Sequence, residues 1–262
     1  MLSTQLNNQI IRQEMLRHPY IHVELEDGRL SYGGDQAWLS TAEERSFGCG
    51  LIAAADILRY LRVKEEEKTG SLREENHANM DRNEDQHAAK SKNRLTQEEY
   101  LEDIRVLSRD FKIRGPLGIT GFGLARRMNR IFRREKLPYR AKWSIGRKRF
   151  EKRLSEMLSR DIPVLLSVGP GFFHRNERLP MYHITDGFTK VNSMHDHYVT
   201  VTGCLELGAA GENSPAGKWL RISSWGGEYY VNYIEYMEHV RKYDNFLFSS
   251  LLYIDEKVYR SI

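Results

Sequence analysis

An α+β fold is what this chain predicts, on three observations. Up to Ser159 the apolar residues recur mainly at helical spacing, and from Pro163 onward they fall into short runs rich in Val, Leu, Thr and Tyr; no internal repeat links the two parts. With 262 residues, 40% of them hydrophobic, the chain is long enough to bury a full core as one domain over 1–262.

The elements follow in order. Leu51 to Leu61 reads LIAAADILRYL, apolar nearly all round and broken by Asp56 and Arg59, which predicts a helix buried at the centre of the domain. Gly48 and Gly50 bracket its start. Residues 64–95 turn to Glu, Lys, Asn, Asp and Gln with scarcely any large apolar side chain, so a charged surface insertion is expected there, mobile or loosely helical. Thr96, with Glu98 and Glu99 and then Tyr100, Leu101, Ile104 and Leu107, predicts a capped amphipathic helix ended by Gly115-Pro116-Leu117-Gly118. Phe122, Leu124, Met128 and Ile131 predict another helix, and Arg149 to Ser159 a third with Phe150, Leu154, Met157 and Leu158 on its inner side. Pro163 to Val168 predicts a buried strand stopped by Gly169-Pro170-Gly171, and Tyr198 to Thr202, Lys218 to Ser223 and Phe246 to Ile254 predict three more.

Composition excludes several classes. The N-terminus alternates polar and apolar residues and lacks a signal peptide's basic start and apolar core, and no run reaches the roughly 20 apolar residues of a membrane span. Two cysteines do not build a disulfide scaffold, so a cytoplasmic protein with a free Cys49 thiol is expected. The net charge of +4 hides an asymmetry: between Arg126 and Arg153 thirteen basic residues face only Glu135 and Glu151, a local +11 that leaves −7 elsewhere. That block is read first as a solvated face, and second as a contact surface for an acidic partner. No aromatic-interleaved RNA-binding signature or helix-turn-helix spacing accompanies it, so nucleic acid is not expected.

Two distant stretches carry the chemistry. Phe47-Gly48-Cys49-Gly50 places a cysteine where a helix should begin, so the helix dipole and the unpaired N–H groups of the first turn would favour a thiolate and receive an oxyanion. Asp196-His197 opens a strand on which the imidazole shares a face with Val199 and Val201, at the edge of a sheet. A thiolate nucleophile and a base that takes and returns its proton are what acyl transfer through a thioester requires. The second cysteine, Cys204, reads as plain core.

With Ser223-Ser224-Trp225-Gly226, preceded by Lys218 to Ile222, these stretches resemble the papain-like cysteine peptidase superfamily, most closely in style its bacterial leader-peptide-processing branch. The resemblance covers Ser46 to about Tyr230, and the 148 residues between Cys49 and His197 lie within that family's range. It implies two lobes, a helical one with its central helix starting at Cys49 and an antiparallel β lobe carrying His197. It also implies a cysteine hydrolase acting on a peptide or another amide, with Cys49 as nucleophile, His197 as general base and acid, and Ser223 in the place of the residue that orients the histidine. The same apparatus would serve an acyl transferase or a deamidase, or survive in a non-catalytic binding module. Two departures stand out. Serine adds no charge to support an imidazolium, and the position six before the nucleophile, where the family has a glutamine oxyanion donor, holds Glu43, leaving Gln36 or a backbone N–H as candidates.

Other constellations are weaker. His195 and His197, two apart on the expected strand, could form half a metal site with Asp196 or His183, but no second ligand pair is evident, and no cofactor is expected. Gly115, Gly118, Gly121 and Gly123 lack the Gly-Lys-Ser/Thr of a phosphate loop. The family resemblance implies that Trp225 walls the pocket and shields the His197–Ser223 contact from water.

Overall fold

A computed structural model describes residues 9–18, 20–74, 94–113, 118–169, 174, 176–184, 187–209 and 216–257. Three short strands open the chain, β1 (Ile10–Met15), β2 (His22–Glu24) and β3 (Leu30–Tyr32), followed by a 3-10 turn at Gln36–Trp38. The helices α1 (Ala42–Phe47) and α2 (Cys49–Glu74) precede β4 (Arg94–Thr96) and α3 (Gln97–Ser108). Then come α4 (Gly121–Arg134), β5 (Tyr139–Trp143), α5 (Phe150–Ser159) and β6 (Val164–Val168). The last third contains β7 (Leu179–Ile184), β8 (Phe188–Met194), β9 (His197–Leu207), β10 (Gly217–Ser224), β11 (Gly227–Asn232), α6 (Tyr233–Tyr243) and β12 (Leu251–Glu256). The mixed α+β composition is as expected, but the segregation is less strict than the sequence suggests, because β1 returns to the main sheet beside β9.

The main sheet runs β5-β12-β6-β9-β10-β11-β7-β8, and its pairings are antiparallel throughout. Its axis is β9. One edge of this strand pairs with β6 from His197 to Val201 and with β1 from Gly203 to Leu207, while β10 lies along the other edge with a register shift between Arg221 and Ile222. A smaller sheet, β3-β2-β4, packs against α3.

Local chemistry accounts for the helices. Thr96 closes a reciprocal capping box on α3: its hydroxyl accepts from the Glu99 N–H at 3.2 Å and the Glu99 carboxylate accepts from the Thr96 N–H at 2.7 Å. Tyr100, Ile104 and Leu107 then face inward on one stripe, while the helix already ends at Ser108; the expected terminator falls mostly on 114–117, outside the described residues. In α4, Leu124, Met128 and Ile131 are buried but Phe122 is exposed. Phe246 to Ser250 form a turn, so the last strand starts five residues later than expected.

The 26-residue α2 is the central helix, with Leu51, Ile57, Leu58 and Leu61 fully buried. It continues to Glu74, well into the segment read as an insertion, because polar contacts dock it there. Arg62 forks onto Glu135 with two 2.8 Å bonds, and Lys64 Nζ donates to the carbonyls of Arg160 at 2.6 Å and Asp161 at 3.0 Å. Lys68 bridges Glu65 and Glu256 at 2.8 Å each. Residues 75–93, most of the expected insertion, lie outside the described residues.

The basic block is spread over α4, β5 and the start of α5 rather than gathered on one helix face. Part of its charge is matched by neighbours, as in Arg134 with Asp110 at 2.7 Å and Lys142 with Asp255 at 2.6 Å. Among the described residues no helix is long and apolar enough to cross a membrane.

Candidate active site

The first turns of α2 lie across β9, and this crossing brings the two halves of the sequence together. Its closeness depends on glycine. A Cβ at Gly50 would stand 3.2 Å from the Tyr198 ring, and one at Gly48 would stand 2.3 Å from the Glu44 carbonyl and 2.5 Å from Leu39 Cδ1. These glycines therefore admit neighbours close to the backbone.

Cys49 and His197 wall a common cleft of about 290 Å³, together with Gln36, Phe47, Trp225 and the 193–198 segment. The imidazole comes from the first residue of β9 and is buried; Trp225 stacks on it with ring centres 4.4 Å apart and planes 22° from parallel. Among the described residues no hydrogen bond joins the Cys49 sulfur to the His197 ring. His197 Nε2 and Ser224 Oγ are hydrogen bonded at 2.8 Å.

Ser223, the residue expected to orient the histidine, is turned away. Its hydroxyl donates to the Tyr32 carbonyl at 2.8 Å, tying β10 to β3. Adjacent strand residues project to opposite faces, so the one-residue shift from Ser223 to Ser224 is decided by the register of β10 on β9. Glu43 is exposed on α1 and does not line the cleft, whereas Gln36 does. The Gln36 Nε2 donates to the Arg45 carbonyl at 2.8 Å, and its buried Oε1 has no hydrogen-bond partner among the described residues.

Electrostatics keep the pair neutral. Burial pushes the Cys49 thiol up to about 11; the backbone N–H of Tyr198 works against that rise, the Asp196 carboxylate adds to it, and the N–H groups of Gly50 and Cys49 itself oppose it. Burial likewise lowers His197 to about 3, with His195 adding to the effect. The expectation that the helix start lowers the thiol is therefore not met: the N–H groups of Cys49 and Gly50 pull it down, but desolvation outweighs them. One reason is that α1 abuts α2 through Gly48 in a helical conformation, so the end of α2 is not an open terminus.

His195 lies outside β9, in a bend with Asp196 at φ +45°, and accepts from Arg178 Nη2 at 3.5 Å. It does not share the strand face with His197. Among the described residues no three His, Cys, Asp or Glu side chains gather into a metal-ligand set.

Behind the cleft, a chamber with room for about 10 Å³, at most one water, is lined by Cys49, Asp56, His197, Ser223 and Ser224 among others. Asp56 was visible in the sequence only as an interruption of an apolar helix. Here it lies in the wall of the same chamber as the thiol and imidazole. No protein-family model, no curated protein and no solved structure matches this chain.

Proposed function

We propose that this chain is a cysteine-dependent hydrolase of papain-like architecture, a peptidase or amidase that works through a thioester. The observation that carries the reading is the placement of Cys49, at the start of the central helix, and His197, at the start of a central strand, on the walls of one cleft, with Trp225 stacked on the imidazole.

The chemistry follows from the hydrogen bonds. With His197 Nε2–H donating to Ser224, Nδ1 is the ring nitrogen left to take the Cys49 proton. The sulfur then attacks the acyl carbon of the substrate, backbone donors at the start of α2 receive the oxyanion, and the imidazolium returns its proton to the departing amine. Water, deprotonated by the same ring, cleaves the thioester. Burial disfavours both the thiolate and the imidazolium, so an ion pair formed ahead of attack is costly. Proton transfer therefore accompanies attack instead of preceding it. The Ser224 hydroxyl holds the ring but adds no charge, which makes turnover slower than with a carboxylate partner. The same thioester would pass its acyl group to an amine or arise from a glutamine side chain, giving a transferase or a deamidase.

A second reading, a non-catalytic papain-like binding module, is favoured by the neutral resting pair and the uncharged Ser224. The basic block would be its contact surface for an acidic partner. An electrophile that needs the full apparatus separates the two. A peptidyl acyloxymethyl ketone should form a thioether at Cys49 in the wild type and not in His197→Ala, read by intact-mass and peptide mapping. Equal modification in both proteins, or an iodoacetamide profile for Cys49 unchanged by His197→Ala, would sink the enzyme reading.

A further inference from the structure

Asp56 lies seven residues from Cys49 on α2, two turns along the same side of the helix. It is 1% exposed in an otherwise apolar stretch, and burial raises its carboxyl to about 6 against the bonds it accepts. A leucine here would pack without that penalty. The carboxylate accepts from Tyr100 Oη at 2.7 Å, from Tyr20 Oη at 3.0 Å, and from the backbone N–H of Gly34 at 3.2 Å.

Gly34 is where this network reaches the site. Its carbonyl accepts from the Gly226 N–H at 3.1 Å, and Gly226 directly follows Trp225, the residue stacked on His197. Two residues beyond Gly34, Gln36 enters the cleft wall beside Cys49. The arrangement has no slack: a Cβ at Gly34 would stand 2.0 Å from Tyr100 Oη, and one at Gly33 would stand 2.5 Å from Asp56 Oδ2.

We propose that Asp56 is a positioning residue of the thiol site, holding Gly34 and through it both Gln36 and the Trp225–Gly226 turn in register with Cys49 and His197. The inference deepens the hydrolase reading and rests on it for its catalytic meaning. It assigns work to a buried carboxylate that touches no reacting atom.

The test uses the full chain. The carbon-bound ring protons of His197 should be shifted upfield by the overlying Trp225, and the pH midpoint for alkylation of Cys49 by iodoacetamide reports the cleft. In Asp56→Leu the ring-proton shift should collapse and the alkylation midpoint should move toward that of an unconstrained thiol, about 8.5. Asp56→Asn, whose Oδ1 still accepts from Gly34, should restore both. Leu58→Ala, a cavity at a fully buried position of the same helix, should lower the melting temperature and leave both signals alone. Wild-type ring shifts and midpoint in Asp56→Leu, or equal displacement in Leu58→Ala, would overturn the proposal. Should Asp56→Leu not fold, amide exchange in the wild type decides: Gly34 and Gly226 should be protected about 100-fold or more, and exchange at free-loop rates would defeat the idea. Wild-type protein that gives these signals but forms no thioether with the peptidyl acyloxymethyl ketone would overturn the hydrolase reading while supporting the Asp56 link as a structural clamp.

Discussion

Cys49 and Cys204 both line cavities, and burial raises both thiols, to about 11 and about 12. The cavity beside Cys204 is the larger, about 430 Å³ against 290 Å³. What differs is the company. Around Cys49 stand backbone N–H groups of Gly50 and Tyr198 and an imidazole in the same cleft; around Cys204 stand Glu14 and Glu206, whose carboxylates push the thiol further up. Cavity size and thiol acidity do not single out a reactive cysteine here. On the proposed hydrolase reading a proton acceptor and fixed donors would, because attack creates charge that must be received where it forms.

The sharpest way to break this comparison is to remove each sulfur. Cys49→Ala should lower any amide turnover by at least about 10³-fold, while Cys204→Ala should stay within about 2-fold, measured on the same substrate. A large loss from Cys204→Ala would invert the assignment. His197→Ala should cost about 10² to 10⁴ in turnover.

The imidazole also leaves a mark on stability. Because its folded pKa is depressed to about 3 from 6.5, the unfolded chain takes up a proton that the folded one refuses. That contribution is present above pH 6.5 and is lost as pH falls toward 3. Urea midpoints should fall across this window in the wild type and fall less in His197→Gln.

Smaller effects sharpen the roles of the two serines. Ser224→Ala should reduce turnover about 10-fold through a freed imidazole ring, with little change in melting temperature. Ser223→Ala should do the reverse, costing about 1–2 kcal/mol of stability as the buried Tyr32 carbonyl loses its donor, with turnover nearly intact. If Ser223→Ala is the more damaging to turnover, the register-based assignment is wrong. The smallest effect belongs to Gly50→Ala. The 3.2 Å approach to the Tyr198 ring must open by a few tenths of an ångström, and a loss of about 1 kcal/mol in stability is expected.

Much of the helical half was legible because its signals are local. The Thr96–Glu99 capping box and the Tyr100, Ile104, Leu107 stripe lie within three turns of chain, and the structure reproduces them. The helix α6 had an equally local signal, Asn232 as N-cap and Tyr236, Met237 and Val240 on one face, and the sequence reading passed over it. Strands β7, β8 and β11 were missed for a different reason. Their side chains alternate weakly, and β11 pairs with β10 and with the distant β7, which in turn pairs with β8, so no single run betrays them. The charged part of α2 looked unable to order itself because its anchors, Glu135, the Arg160 and Asp161 carbonyls and Glu256, are far off in sequence.

The site divides along the same line. A cysteine that opens a long apolar helix, a histidine that opens a strand 148 residues later and the Ser-Ser-Trp-Gly segment that follows are legible in the chain, since residue type and short-range spacing suffice for each. It takes the packed fold to bring Ser224 and not Ser223 to the imidazole, Gln36 and not Glu43 to the cleft, and to tie Asp56 through Gly34 to the Trp225 turn. Strand register, with its alternation of faces, and contacts between distant segments fix those choices, and neither is written in the local pattern of the chain.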